Sequence, residues 1–153
     1  LKISVEPASK RKTSDYVFQS ADRMLFARPF VYIPFIMELK RVPPADAVLQ
    51  IMACYSRHEH SMVAVKRCAH HLSTDDTMIR EHFIQCEHQS AVYVNCATPN
   101  DPSFIMLPLN ELFSSLSPLF IPLKFTCFSS CTGGINRRAV HISFVLKSKL
   151  VYD

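Results

Sequence analysis

Short stretches of alternating apolar and polar residues run through much of the chain and predict β-strands. The clearest lies at 139–147, where Val140, Ile142, Phe144 and Leu146 share one face and His141 lies on the other. Helical periodicity nowhere persists beyond two turns. Five further segments are rich in β-branched and aromatic residues and are also predicted strands: 30–39, 47–55, 91–96, 103–107 and 119–128. The pattern therefore predicts an all-β sandwich or barrel.

Three regions interrupt this pattern. The polar N-terminal stretch, with its basic triplet at 10–12, predicts an arm or loop. Pro34 in the first predicted strand indicates an edge strand or a bulge, because proline has no N–H to donate to a sheet. Between 57 and 88 the chain carries six of its seven histidines and little β pattern, which predicts a long functional loop with short helices at 62–66 and 76–82.

Length, charge and cysteine content limit the classes of protein to which the chain can belong. A length of 153 residues fits one domain with its own core, and the net charge of +4 permits a polyanionic partner without requiring one. The chain has no apolar run of about 18 residues, so no membrane span is expected. It starts at Leu1, without a methionine or a secretory signal, and we expect it to be a fragment of a longer protein in which the six cysteines stay reduced or bind metal.

The segment with the most candidate functional residues is 127–138, which reads Cys-Phe-Ser-Ser-Cys-Thr-Gly-Gly-Ile-Asn-Arg-Arg. Two thiols four positions apart can share one metal ion. The only two glycines of the chain stand side by side here and allow a tight bend or a close approach of the backbone. Two planar, permanently charged guanidinium groups follow. The stretch therefore predicts a rigid loop that presents arginine.

A second pair of metal ligands lies in the histidine-rich region. Cys68 and His71 are three positions apart, and with Cys127 and Cys131 they make three sulfurs and one imidazole, the ligand set of structural zinc. Spacing alone leaves His70 as an alternative to His71. A complete set of four donors argues against a catalytic zinc, which keeps one coordination position open. The ion would also occupy the cysteines and the histidine that a Cys–His hydrolase would need as nucleophile and base. We therefore expect no enzyme.

Both motifs resemble the DNA-binding core of the p53 tumour-suppressor family. The resemblance rests on Lys-Arg-Cys-Ala-His-His at 66–71 and on Phe-Ser-Ser-Cys-Thr-Gly-Gly-Ile-Asn-Arg-Arg at 128–138, with weaker similarity over 21–153. It implies an immunoglobulin-like β-sandwich with zinc-braced loops and zinc ligands at Cys68, His71, Cys127 and Cys131. Residues 1–20 match poorly and are interpreted as an N-terminal arm. The final strand and helix of the family are expected beyond Asp153.

The resemblance also implies individual roles. Arg137 falls where the family inserts an arginine into the DNA minor groove, and Ser130 falls on a phosphate-contacting serine. Val63 replaces a carboxylate that pairs with the bracing arginine at Arg138, so the sequence leaves Glu59 or Asp75 as its partner. A lysine of the first loop that contacts DNA corresponds to one of Lys10, Arg11 and Lys12. The residues expected to brace the loops are Arg67, Arg138, Gly133, Gly134 and Asn136.

The function implied is a sequence-specific DNA-binding domain of a transcription factor that acts on double-stranded DNA in the nucleus. The resemblance also implies a homo-oligomeric full-length parent, with regulatory protein partners possible. One alternative stays open at this point. A truncated or diverged relative without specific DNA reading would be a zinc-braced protein-interaction module.

Overall fold

The computed structural model describes residues 1–7, 15–95, 98, 100–110, 112 and 118–148. Within these residues the chain forms ten strands, one α-helix and one 3-10 helix. The short 3-10 helix is His58–His60 and the α-helix, α1, is Ala69–Ser73. The strands are β1 Lys2–Val5, β2 Tyr16–Gln19, β3 Met24–Ala27, β4 Ile33–Glu38, β5 Ala47–Tyr55, β6 Ile84–Cys86, β7 Val92–Val94, β8 Phe104–Pro108, β9 Leu119–Phe125 and β10 Val140–Ser148.

Eight of these strands form two four-stranded antiparallel sheets. One sheet has the order β1-β4-β9-β6 and the other the order β10-β5-β8-β7, while β2 and β3 form a separate hairpin. The longest pairing joins β10 to β5 over nine residues, from Val140 opposite Tyr55 to Ser148 opposite Ala47. The core fills the space between the sheets with side chains that are at most 1% exposed: Ile33, Met37, Leu49, Ile51, Ile105, Leu107, Leu109, Ile121 and Leu123. This architecture confirms the predicted all-β, immunoglobulin-like sandwich.

The six strands predicted from the sequence are all present among the described residues, with ends shifted by a few positions. The expectation of an N-terminal arm or loop is wrong for Lys2–Val5, which pairs with β4, and for Tyr16–Gln19, which pairs with β3. Both strands are only four residues long, too short for a periodicity to stand out. Residues 8–14, which include the basic triplet, lie outside the described part of the chain.

Two predictions from local sequence, the positions of the short helices and the edge at Pro34, are wrong. Neither predicted helix, at 62–66 or at 76–82, is formed, and the α-helix lies between them at Ala69–Ser73. The expectation that Pro34 marks an edge or a bulge is wrong, because β4 lies between β1 and β9. The register places Pro34 opposite Pro122 of β9, and the Pro34 carbonyl accepts a hydrogen bond from the Glu6 N–H at 3.0 Å. The sheet thus accommodates the missing N–H at the point where β1 ends.

Two long connections leave the sandwich at the same end. The histidine loop, residues 56–83, joins β5 to β6, and the arginine loop, residues 126–139, joins β9 to β10. Backbone hydrogen bonds tie them together at their bases, from Ser56 N–H to the Ala139 carbonyl at 2.8 Å and from Thr126 N–H to the Phe83 carbonyl at 3.0 Å. No helix among the described residues is long and apolar enough to cross a membrane.

Candidate metal centre and arginine loop

Three thiols and one imidazole meet where the histidine loop touches the arginine loop. The ligand atoms of Cys68, His71, Cys127 and Cys131 all lie within 4.8 Å of one another. The His71 Nδ1 atom is 3.2 Å from the Cys68 sulfur and 3.5 Å from each of the other two sulfurs. His71, and not His70, therefore faces the three thiols. Within the described ranges no other group of three or more such side chains lies close enough to share an ion.

These separations fit one tetrahedral zinc ion. Zinc–sulfur bonds of about 2.3 Å and zinc–nitrogen bonds of about 2.0–2.1 Å imply sulfur–nitrogen separations near 3.6 Å. The observed separations of 3.2–3.5 Å are close to that value. Three sulfurs and one imidazole complete a closed coordination sphere, which is typical of structural and not of catalytic zinc.

The local backbone explains how the first two ligands converge. Cys68 is the N-cap of α1, and the Leu72 N–H donates to the Cys68 carbonyl at 3.0 Å. His71 lies three residues further along the same helical turn, so both side chains project to one side. The Cys68 N–H in turn donates to the Cys127 sulfur at 3.3 Å, which links the helix to the residue that follows the end of β9 by two positions.

The protonation preferences of the thiols are unequal. Burial raises the pKa of the Cys127 thiol to about 11, and the nearby Cys68 sulfur adds to this rise. Burial also acts to raise the pKa of Cys68, but hydrogen bonds from the His71 backbone and from the other two thiols outweigh it and lower that pKa. Desolvation lowers the pKa of His71, which favours the neutral imidazole that binds metal. Three adjacent thiolates would repel one another, and a divalent cation offsets that repulsion.

An ion pair with a buried arginine holds the histidine loop next to the Cys/His cluster. The Arg67 side chain is 2% exposed, and its guanidinium donates to the Asp75 carboxylate at 2.5 Å, to the Arg80 carbonyl at 2.7 Å and to the His71 carbonyl at 2.9 Å. Burial acts to raise the pKa of Asp75. Hydrogen bonds from the Thr77 hydroxyl and from Arg67 outweigh it and bring the pKa to about 2. The Arg67 side chain thus connects His71, Asp75 and Arg80, three separate points of the histidine loop.

Gly134 is required where the two loops touch. A Cβ atom at this position would lie 3.0 Å from the Cys68 backbone nitrogen, 3.2 Å from the Cys68 Cβ atom and 3.3 Å from the Lys66 carbonyl oxygen. Backbone atoms cannot move aside cheaply, so only glycine allows this approach. Gly133 is favoured for its backbone conformation, because its φ of +78° lies in the left-handed region. A Cβ atom at this position would have no neighbour within 4 Å.

The tip of the arginine loop turns through two further left-handed residues. Asn136 has a φ of 50° and Arg137 a φ of 61°, and this conformation is uncommon for residues other than glycine. The Arg137 N–H donates to the Ser129 carbonyl at 2.6 Å, which closes the loop across its base. The side chains of Arg137 and Ser130 are exposed. The loop therefore presents a cation on a backbone that its own hydrogen bonds constrain.

Arg138 makes its contacts inside the arginine loop and with Tyr55. Its guanidinium lies 3.9 Å from the centroid of the Tyr55 ring and donates to the Ile135 carbonyl at 2.9 Å and to the Gly134 carbonyl at 2.7 Å. The prediction that Glu59 or Asp75 pairs with Arg138 is wrong. Asp75 pairs with Arg67, and Glu59 lies 3.5 Å from Arg57. A cation–π contact and carbonyl oxygens take the place of a carboxylate.

Sequence reasoning overlooked three aromatic residues at the site. Tyr55 is buried beneath Arg138, while Phe30 and Phe128 pack against the His71 ring at centroid distances of 5.1 and 5.7 Å. Phe128 is part of the motif at 128–138, and its signal in the sequence is an apolar side chain within a polar loop. Phe30 carries no local signal, because it approaches the site only through the fold. The candidate DNA contacts Lys10, Arg11 and Lys12 lie outside the described residues.

Comparison with known proteins agrees with this geometry. A family model described as the P53 DNA-binding domain matches residues 1–151. The chain therefore belongs to the p53 DNA-binding domain family, as the two motifs predicted. Among curated proteins it is similar to the cellular tumor antigen p53 of Xiphophorus maculatus, with 32% identity over 141 residues that cover 92% of this chain and 40% of that protein.

Two further relatives carry the same name. The cellular tumor antigen p53 of Platichthys flesus is 30% identical over 139 residues, which cover 90% of this chain and 38% of that protein. That of Oryzias latipes is 26% identical over 150 residues, which cover 97% of this chain and 42% of that protein. The chain thus spans about two fifths of the length of the curated relatives it matches.

Proposed function

We propose that this chain is a zinc-stabilised, sequence-specific DNA-binding domain of a p53-like transcription factor, in which the arginine loop inserts Arg137 into the minor groove of double-stranded DNA. The observation that carries the proposal is the junction of the two loops. Four atoms that could bind a metal lie within 4.8 Å of one another at that junction, and the same arginine loop carries the exposed Arg137.

Zinc would be held by Cys68, His71, Cys127 and Cys131, and when bound it supplies a structural cross-link rather than reaction chemistry. Its ligands come from segments about 60 residues apart, so binding removes much of the freedom of both loops. The protein's own contribution is to pre-position the ligands through α1 and Gly134. A loop that is already ordered loses less conformational entropy when it meets a partner.

The charge and shape of the arginine loop suit a narrow minor groove. Such a groove concentrates negative potential and attracts an inserted guanidinium. Arg137 is exposed on a left-handed backbone, whereas the neighbouring Arg138 is bound to carbonyl oxygens and to Tyr55. We propose that Arg137 contacts DNA and that Arg138, Arg67, Asn136 and the two glycines hold the loop in shape. The exposed hydroxyl of Ser130 is a candidate contact to a phosphate.

Titration of duplex DNA tests the role of Arg137. Arg137→Ala is expected to weaken binding about tenfold or more, because hydrogen bonds to charged groups contribute about 1.5–3 kcal/mol. The duplex is one enriched from a random pool by binding to the wild-type chain. Binding should also fall with salt, with a log–log slope of about −0.9 per phosphate contacted.

Arg41→Ala is the matched control. It removes the same charge from an exposed residue in the turn before β5, at the other end of a nine-residue strand that spans about 26 Å. Unchanged affinity in Arg137→Ala, or an equal loss in Arg41→Ala, would contradict the minor-groove role. If the chain instead binds a protein, independently of salt, and does not bind DNA, the alternative of a zinc-braced protein-interaction module would be favoured.

Metal content gives an independent test. The purified chain is expected to contain one zinc ion per molecule by elemental analysis, and a chelator should lower the midpoint of thermal unfolding. Cys131→Ser is expected to reduce the zinc content. An unchanged melting curve after chelation would refute the cross-link.

The wider role follows from the same proposal. A transcription factor acts in the nucleus, and we propose that location together with a non-catalytic role. A homo-oligomeric parent and regulatory protein partners belong to this proposal as well. Size measurements on the full-length parent and isolation of its bound partners test them. The basic triplet Lys10, Arg11 and Lys12 remains a candidate further contact to DNA, which substitution of all three by alanine in the same titration would examine.

A further inference from the structure

An aromatic pair covers the imidazole of the candidate metal centre. Phe30 meets the His71 ring edge-on, at a centroid distance of 5.1 Å and an angle of 63°, and Phe128 lies 5.7 Å from it at 34°. The two phenylalanine rings are 6.4 Å apart. Phe30 and Phe128 come from different parts of the chain and close around one ligand.

The backbone at Phe30 is under strain. Its φ is 65°, a left-handed value that is an outlier for a bulky side chain. A hydrogen bond of 2.8 Å from its N–H to the Phe125 carbonyl fixes this conformation at the end of β9, just before Cys127. Strain of this kind persists only where the surrounding structure imposes it, and it marks sites with a specific role. Here the strained conformation brings the ring to His71.

Both rings remain partly open to solvent. Phe30 is 46% exposed and Phe128 is 50% exposed, so their packing does little to fill the core. An exposed aromatic ring in contact with a metal ligand instead limits the access of water to that ligand. The apolar shell around a metal site controls solvent access, and contacts to a ligating histidine fix the orientation of its ring.

We propose that Phe30 and Phe128 form an aromatic lid that holds the His71 ring in its ligating orientation and slows loss of the metal ion. The inference rests on the proposed zinc site. His71 is the neutral member of the four ligands, so it can swing away from a cation without separating opposite charges. Release of the ion therefore begins most easily at His71, and the lid opposes that first step.

Zinc transfer to a chromophoric chelator measures the rate of release. Phe30→Gly removes one ring while glycine adopts a φ of 65° without strain, so the backbone path is kept. Phe128→Ala removes the other ring. Each variant is expected to release zinc about tenfold faster than wild type, the lower end of the effect known for residues that support metal ligands. Phe128→Tyr, which keeps an aromatic ring, should restore a slow rate.

Phe120→Ala is the matched control, because Phe120 on β9 is a phenylalanine of similar exposure, 52%. It should release zinc at the wild-type rate. Thermal melting in excess zinc should leave Phe30→Gly close to wild type, and the visible spectrum of the cobalt-substituted variants should report altered ligand geometry. A merely structural role would not change that spectrum.

The results that would refute the lid differ from those that would refute the metal centre. Zinc release from both lid variants at the wild-type rate would overturn the aromatic lid alone, and so would equally fast release from Phe120→Ala. If the wild-type chain holds no stoichiometric zinc, the proposed metal centre and the lid are both refuted.

Discussion

Replacing Asp75 by asparagine tests how the histidine loop is held. Asp75→Asn keeps the size of the side chain but removes the charge that faces the buried Arg67 guanidinium, whose side chain is 2% exposed. Arg67 would keep its hydrogen bonds to the carbonyl oxygens of Arg80 and His71. It would lose its only ion-pair partner recorded among the described residues.

Two estimates set the size of the effect. Breaking a buried ion pair by removing one partner costs about 3–5 kcal/mol. The pKa of Asp75 falls from 3.8 to about 2 on folding. That shift corresponds to about 2.4 kcal/mol, to which the hydrogen bonds from Thr77 contribute as well as Arg67, and solvent screening reduces it because the side chain is 18% exposed. We therefore expect Asp75→Asn to lower the free energy of unfolding by about 2–3 kcal/mol, or to lower the Tm by roughly 5–10 °C.

Urea unfolding at pH 7 measures this loss. Asp76→Asn makes the same chemical change at the next, exposed residue and should shift the unfolding free energy by less than about 0.5 kcal/mol. Equal stability of Asp75→Asn and wild type at pH 7 would refute the bracing role of the Arg67–Asp75 pair.

The pH dependence of the difference follows from the pKa. Because the folded-state pKa of Asp75 is depressed, its carboxylate stabilises the fold fully above about pH 5, and this contribution is lost as the pH falls from the ordinary value of 3.8 towards 2. The stability gap between wild type and Asp75→Asn should therefore narrow in acid. Measured on metal-free samples of both proteins, the gap isolates Asp75. A gap that stays constant down to pH 2 would show that charge is not its cause.

Three further substitutions probe the junction of the loops. Gly134→Ala places a methyl group 3.0 Å from the Cys68 nitrogen, so it should lower the unfolding free energy by about 1–3 kcal/mol and also reduce zinc content. Gly133→Ala meets no neighbour but strains a φ of +78°, so urea unfolding should show a loss of about 1–2 kcal/mol with zinc content unchanged. Tyr55→Leu removes the ring 3.9 Å from the Arg138 guanidinium and should destabilise the fold by about 2 kcal/mol. An equal zinc loss in both glycine variants, or a Tyr55→Leu midpoint like that of wild type, would contradict these readings.

The sequence predicted the long strands because each carries a side-chain pattern of its own. In β5 the apolar residues Leu49, Ile51, Ala53 and Tyr55 recur at every second position, and all four are buried. A pattern of this kind is complete within one segment. Strands of four residues, such as β1, contain too few positions to show it, and their pairing with distant strands makes them visible only in the folded chain.

The candidate metal centre was determined by the sequence to a similar extent. The spacing of two short motifs named its three cysteines and narrowed the imidazole to His70 or His71, because the chemistry of zinc restricts which side chains can take part. The choice of His71 over His70 needed the helical turn at α1, which fixes the direction of each side chain. The partner of Arg138 could not be predicted, because a guanidinium can be satisfied by carbonyl oxygens and an aromatic ring as well as by a carboxylate.

By itself, then, the sequence determined the class of fold, the family and the residue types of the candidate metal centre, since those depend on local periodicity and on the identity of reactive side chains. The tertiary structure alone decided the order of the strands in each sheet, the pairing of Arg67 with Asp75 and the left-handed turn that brings Phe30 to His71. The physical reason is distance along the chain. These contacts join residues whose separation and direction depend on how the whole sandwich packs.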